Sequence, residues 1–342
     1  MQQSFNQRIL YLDLLRILAT FAVIFLHVCS SEDFFVLSSS SNWYITLVDD
    51  SLVRWCVPAF VMISGALFLD PNRNITYREI LTKRVSRLLI AYIFWTCLYV
   101  FNGYFYSGFE GFTISRFLKR SAHSTAHLWF LPMLMGVYFL IPIMRTITRD
   151  RKLMKYTLFV WIMFVFISFL QCIELFKELK HFYWLFNMNI IIGFSGYFIL
   201  GFFLSQQSFS KGQRIWVYIM GVTGALVTIF GTIFMSMSKG YGDELFFDNF
   251  SVQVVAMAVS LFVLCKEFAP KTGIVVQRIV GFVRKDLFGI YLIHALWLDF
   301  VNTQAIRHCC SVGITLPLIT REPSSLTLPS SNVVSCWPTR TL

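Results

Sequence analysis

The chain has 342 residues, of which 56% are hydrophobic and 18% aromatic against 14% charged, where a soluble domain runs about 45–50% apolar and about 25% charged. A soluble globular fold is excluded, and so is a disordered chain, which needs low hydrophobicity and high net charge to escape collapse. The formal net charge of +11 calls for no nucleic-acid partner, because the basic residues distribute as membrane topology distributes them and not over one soluble face.

A hydrocarbon core of about 30 Å takes roughly 20 residues of helix to cross. Runs of that kind predict nine spans: Ile9 to Cys29, Leu52 to Leu69, Leu88 to Tyr106, Leu128 to Met144, Leu153 to Ile173, Phe182 to Leu204, Ile215 to Ser238, Asn249 to Cys265 and Leu287 to Ile306. Pro58, Pro132, Pro142 and Gly224 interrupt some of them, which membrane helices tolerate because neighbours re-satisfy the backbone. The short alternating segments of a β-barrel are absent. The expected fold is an all-α polytopic membrane protein of nine to ten transmembrane helices.

Orientation follows from Lys and Arg in the connections, which concentrate on the cytoplasmic side. With the N-terminus inside, the inner segments hold 18 of them, among them Arg78, Lys83, Arg84, Arg87, Arg145, Arg149, Arg151 and Lys152, and the outer segments hold 7. A cytoplasmic N-terminus is therefore expected. The first helix lacks the small residues of a signal-peptide cleavage site, and Asp13 and Arg16 interrupt its apolar run, so it reads as a mature helix. The eight Cys are scattered without a C-x-x-C pair, which points to neither a zinc site nor a disulfide framework. No phosphate-binding Walker loop and no G-x-S-x-G turn occurs.

Residues 307–342 differ from the rest. They hold four Pro, six Ser, five Thr and three Cys but none of the 37 Phe, and Pro317, Pro323, Pro329 and Pro338 preclude another continuous helix. Two readings stand: a polar exterior tail, or a sequence that replaces a lost last helix through a shifted reading frame. The expected division is a membrane domain over 1–306 and an atypical tail over 307–342.

Ionisable side chains inside membrane helices are costly, so each is a functional candidate. In the first helix, Asp13 and Arg16 are three residues apart and can pair. Ten residues separate Arg16 from His27, and eleven steps of 100° bring the two within about 20° of one face, roughly 16 Å apart along the axis. An imidazole is the usual general base for a hydroxyl proton. The plainer alternative is an interfacial ion pair and an interfacial histidine. Arg84 and Arg87, at i and i+3, project together if their helix begins early, forming a clamp suited to phosphate; otherwise they are a positive-inside anchor. His127, with Trp129 beside it, opens the fourth span; His294 lies within the ninth and must be paired or solvated there.

Taken in order, L-D-x-L-R-x-x-A with ten residues between the Arg and His27, V-P-A-F-V-M-I-S-G-A-L-F around Pro58, Arg84-x-x-Arg87, H-L-W-F-L at 127–131 and G-I-Y-L-I-H at 289–294 resemble the bacterial membrane acyltransferase family 3. The likeness covers residues 8 to about 302 and points to the short members that have the membrane domain alone. It implies an O-acetyltransferase of the bacterial inner membrane. The donor would be acetyl-CoA, without a metal, and the acceptor a hydroxyl of a cell-envelope polysaccharide such as O-antigen, enterobacterial common antigen or exopolysaccharide, presented on a lipid carrier. His27 and Arg16 match the family's essential pair, and Arg84 and Arg87 its donor-side arginines. The family usually has ten membrane helices, from which the tail departs. A polysaccharide or small-molecule exporter is the alternative function, and a sensor or assembly partner without activity is a third.

Overall fold

The computed structural model describes residues 2–29, 41–71, 73, 75–106, 108–123, 126–170 and 193–304. Among them every regular element is helical: α1 (Gln2–Cys29), α2 (Ser41–Val53), α3 (Cys56–Phe68), a short α4 (Tyr77–Glu79) running through a π-helical turn (Ile80–Val85) into α5 (Ser86–Tyr106), α6 (Ile114–His123), α7 (Phe130–Phe139), α8 (Ile141–Arg149), α9 (Arg151–Leu170), α10 (Ser195–Gln206), α11 (Lys211–Lys239), α12 (Val252–Phe268), α13 (Ile274–Val283) and α14 (Leu287–Gln304). Single 3-10 turns at Ala126–Leu128, Leu245–Phe247 and Ala269–Lys271 complete the order.

Six helical stretches among the described residues are long and apolar enough to cross a membrane: Leu10–Cys29, Trp43–Phe68, Tyr77–Phe105, Arg151–Leu170, Lys211–Lys239 and Leu245–Lys271; α7 with α8 makes a seventh if they form one broken span. The protein is thus a multi-pass membrane protein. The expected fourth span divides at Leu140, where Pro142 occupies the first turn of α8, a position at which its missing N–H is no loss. The second span starts nine residues earlier than expected, at Trp43, because α2 carries Asp49 and Asp50 and hides in a hydropathy reading. The early part of the expected sixth span, the last two residues of the ninth and the tail over 307–342 lie outside the described residues.

The helices fall into two compact units, Met1–Ile75 with Leu140–Tyr291, and Thr76–Phe139 with Leu292–Leu342. In the first unit, α1 packs against α2, α3, α12 and α13, and α3 lies along α10. The seam between α3 and α10 is built on glycine. A Cβ on Gly65 would fall 1.8 Å from the carbonyl oxygen of Phe198, and one on Gly201 would fall 2.0 Å from that of Met62, so the two backbones touch directly, as small residues permit between membrane helices. A second seam joins α11 to α12, where a Cβ on Gly224 would fall 2.6 Å from the carbonyl oxygen of Gln253. Outward faces such as Phe21, Phe159, Trp216, Phe230 and Phe234 are exposed, the arrangement of a bundle surrounded by lipid rather than water.

Helix ends are specified by sequence. Ser210 caps α11 with a reciprocal capping box to Gln213, and Gly240 closes it in the left-handed conformation at φ 74°, which only glycine adopts without penalty. Lys266 Nζ donates to the carbonyl oxygens of Leu204, Ser205 and Gln207, satisfying the orphan C-terminal carbonyls of α10 with a cation placed at the negative end of the helix dipole. Arg145 does the same for α3, donating to Phe68 O at 2.9 Å, and also ties down the following connection through Arg73 O at 2.8 Å.

In the second unit, Thr76 caps the start of α4 by accepting from the Glu79 N–H at 3.2 Å, and α5 packs against α6 and α7. α6 carries Phe117 against Tyr104 and Phe112, and the Arg120 guanidinium lies 4.7 Å from the Tyr104 ring centroid.

Candidate active site

α1 is unbroken from Gln2 to Cys29, so the single face shared by Arg16 and His27 is real. Asp13 is buried on it. One carboxylate oxygen accepts from Arg16 Nη1 at 2.9 Å and the other from Arg284 Nη1 at 3.2 Å. A lone carboxylate there would bear a large desolvation cost, and two guanidinium partners offset it. The spacing pointed to Arg16; Arg284, 271 residues distant, left no local signal. Since Asp13 is shared, Arg16 is not consumed by its ion pair, and its side chain keeps 30% of its surface exposed.

His27 sits half-buried in the last turn of α1, two residues before the buried Cys29. α2 packs on α1 and carries Asp50 in an ion pair with Arg54. Asp49, Asp50 and Arg54 all act electrostatically on the Cys29 sulfur. The Arg54 guanidinium lies 3.9 Å over the Phe247 ring, beside the buried Trp43–Leu47–Phe247 cluster and Tyr44. Asp50 Oδ1 and Arg54 Nε are buried with no hydrogen-bond partner among the described residues, an unusual state for charged groups. This carboxylate, guanidinium and aromatic cluster near the His27 end of α1 escaped the sequence reading, which placed Asp50 in the connection before the second span and Arg54 at a helix end.

In the second unit, the helix does begin early. It starts at Tyr77 and continues through the π turn, so Arg84 and Arg87 both project from helix and are exposed. The i, i+3 spacing of the two arginines thus falls on continuous helix. Lys83 is engaged with Glu79 at 3.0 Å.

Further along α5, Tyr99 meets two of the motif histidines. Its ring stands edge-on to His127 with centroids 4.3 Å apart, and His127 stands edge-on to the buried His294 at 6.0 Å. Burial first, and then the His294 imidazole, push His127 down to about 4, so it is neutral at ordinary pH. Sequence reading placed His127 at the opening of the fourth span and His294 inside the ninth, in need of a partner or solvent; Tyr99 lies outside every motif and was missed. The side chains of His123 and Asp299, together with His181 and His308, lie outside the described residues.

The fold and these charges define a class, an integral membrane protein with ionisable groups held inside its helices, where they mark functional sites. The acyltransferase domain of family 3 matches residues 9–320, and the chain belongs to that family. It is a membrane acyltransferase. No curated protein and no solved structure matches it.

Proposed function

We propose that the protein is an O-acetyltransferase of the bacterial inner membrane that moves acetyl from acetyl-CoA to a hydroxyl of a cell-envelope polysaccharide. The observation that carries this reading is the stripe on α1. One unbroken helix in a family 3 chain holds a buried, doubly paired carboxylate with its arginine at one level and an imidazole eleven residues on, at the other. The excess of Lys and Arg in alternate connections supports a cytoplasmic N-terminus, which puts Arg84 and Arg87 on the side from which an anionic coenzyme arrives. Guanidinium pairs suit its phosphates.

His27 takes the proton of the acceptor hydroxyl as its oxygen attacks the thioester carbonyl. The C–O bond forms, the C–S bond breaks, and the thiolate of coenzyme A leaves and is protonated. Arg16 lends positive charge to the same face of α1. Apolar surroundings limit hydrolysis of the thioester by bulk water. Residues 1–306 would supply the membrane domain for this chemistry.

The test compares, by mass spectrometry, surface glycans from cells that express the chain, its His27→Ala variant, or neither. Acetyl increments with the unmutated chain alone support the assignment. Full transfer by His27→Ala refutes the role of His27, and changed glycan export with unchanged acylation refutes acetyl transfer as the activity.

A further inference from the structure

Within the second unit, α5 carries more than the two arginines. Twelve residues beyond Arg84, the Thr96 hydroxyl is buried and has no hydrogen-bond partner among the described residues. A helical threonine ordinarily returns its hydroxyl to the carbonyl four residues back, as Thr20 does to Arg16 O at 2.9 Å. One turn beyond Thr96, the Tyr99 hydroxyl donates to Leu292 O at 2.8 Å and accepts from Leu296 N at 3.3 Å. These two groups are the ends of one helical hydrogen bond of α14. The hydroxyl thus enters the backbone ladder at the turn that bears His294, an insertion that bends or loosens helices, and it fixes that turn beside Tyr99 and His127.

At 100° per residue, Tyr99 lies about 60° and Thr96 about 120° round the helix from Arg84, so these three fall within one third of its circumference, whereas Arg87 lies about 180° from Thr96. Along the axis, Thr96 is roughly 18 Å and Tyr99 roughly 22 Å from Arg84. A pantetheine arm has about as many chain atoms as four residues, so it extends ~14 Å. An arginine side chain covers the remainder. The arm carries two amides and ends in a neutral thioester, and the far end of this track offers an unpaired hydroxyl and then a phenol with two imidazoles.

We propose that α5 is the docking track of the acyl thioester, with Arg84 at the phosphate end, Thr96 bonding a pantetheine amide, and Tyr99, His127 and His294 enclosing the thioester carbonyl. This rests on the acetyl-CoA reading above and adds the site for the uncharged half of the donor.

The experiment measures equilibrium binding of acetyl-CoA and of adenosine 3′,5′-bisphosphate, which lacks the arm, to the full-length protein in lipid nanodiscs. Thr96→Val should weaken acetyl-CoA by roughly two- to tenfold, the worth of one neutral hydrogen bond, and leave the bisphosphate unchanged; Tyr99→Phe, which frees the α14 turn that the hydroxyl holds, should likewise weaken acetyl-CoA and not the bisphosphate. Melting temperature is read alongside. If the Thr96 hydroxyl is only an internal defect, Thr96→Val raises the melting temperature and leaves acetyl-CoA affinity intact, which overturns the proposal. Parallel loss of both probes also overturns it. Where a variant does not fold, His127→Gln gives the same comparison. An unmutated protein that binds neither probe refutes the donor reading itself, whereas one that binds acetyl-CoA with the variants unaltered refutes the track alone.

Discussion

Replacing Gly65 by alanine tests whether the α3–α10 seam is as close as its geometry states. The added Cβ would lie 1.8 Å from the Phe198 carbonyl oxygen and 2.6 Å from its carbon, where ordinary contact begins at 3.4 Å. The helices must part by about 1.5 Å, on a base separation of 8–10 Å. The obstacle is backbone and has no rotamer in which to retreat, so the cost falls at the upper end of the overpacking range, about 3 kcal/mol. Gly281→Ala is the control, since nothing lies within 4 Å of its Cβ and alanine improves helix propensity by roughly 0.5–1 kcal/mol. Thermal denaturation of the purified protein in detergent should therefore show Gly65→Ala melting well below the parent and Gly281→Ala at or above it. Because α1 packs on α3, acyl transfer should fall with Gly65→Ala even at temperatures where the protein stays folded. Equal melting temperatures for the two variants would show that the backbones are not in contact and would refute the reasoning.

Three further outcomes follow from the charges. Asp13→Ala leaves Arg16 and Arg284 without their shared carboxylate and should destabilise by about 1–3 kcal/mol, whereas Arg16→Ala and Arg284→Ala each leave one pair intact and should cost less; denaturation of the three variants side by side checks the order. Arg84→Ala and Arg87→Ala should raise KM for acetyl-CoA roughly tenfold or more, the value of a charge-assisted hydrogen bond, with KM for the acceptor unmoved; steady-state kinetics with each substrate varied decides it. His127, held at about 4 in the folded chain against about 6.5 unfolded, favours folding fully above pH 6.5 and loses that contribution as pH falls toward 4. The loss is on the order of 3 kcal/mol, and the pH dependence of melting should flatten between pH 6.5 and 4 in His127→Gln.

How much of this was legible in the sequence depends on whether the deciding interaction is local. The apolar runs of α1, α9, α11 and α12 are long, and the structure keeps each within a few residues of its expected bounds. The pairing of Asp13 with Arg16 and the common face of Arg16 and His27 were readable because helix periodicity alone settles them. α2 was not readable, since Asp49 and Asp50 lower its hydropathy and the burial of Asp50 depends on α1 and Arg54, whose packing sequence spacing does not reveal. The break at Leu140 was masked in the same way. Pro142 is tolerated inside a membrane helix and equally begins a new one, and only the neighbours choose.

Arg284 and Tyr99 show the same limit at the site. Asp13 in a membrane helix announces that it needs a partner, because an unpaired buried carboxylate is so unfavourable, but the requirement does not say where the second partner lies. Tyr99 announces nothing at all. A tyrosine in an aromatic-rich helix is indistinguishable from lipid-facing packing until its hydroxyl is found between Leu292 O and Leu296 N. Ionisable groups in a membrane can be located from sequence by what they would lose unpaired, while the neutral polar groups that position them cost less to bury and leave a correspondingly fainter trace. A search for the remaining functional residues of this chain should therefore begin with buried hydroxyls such as Thr96 and not with further charges.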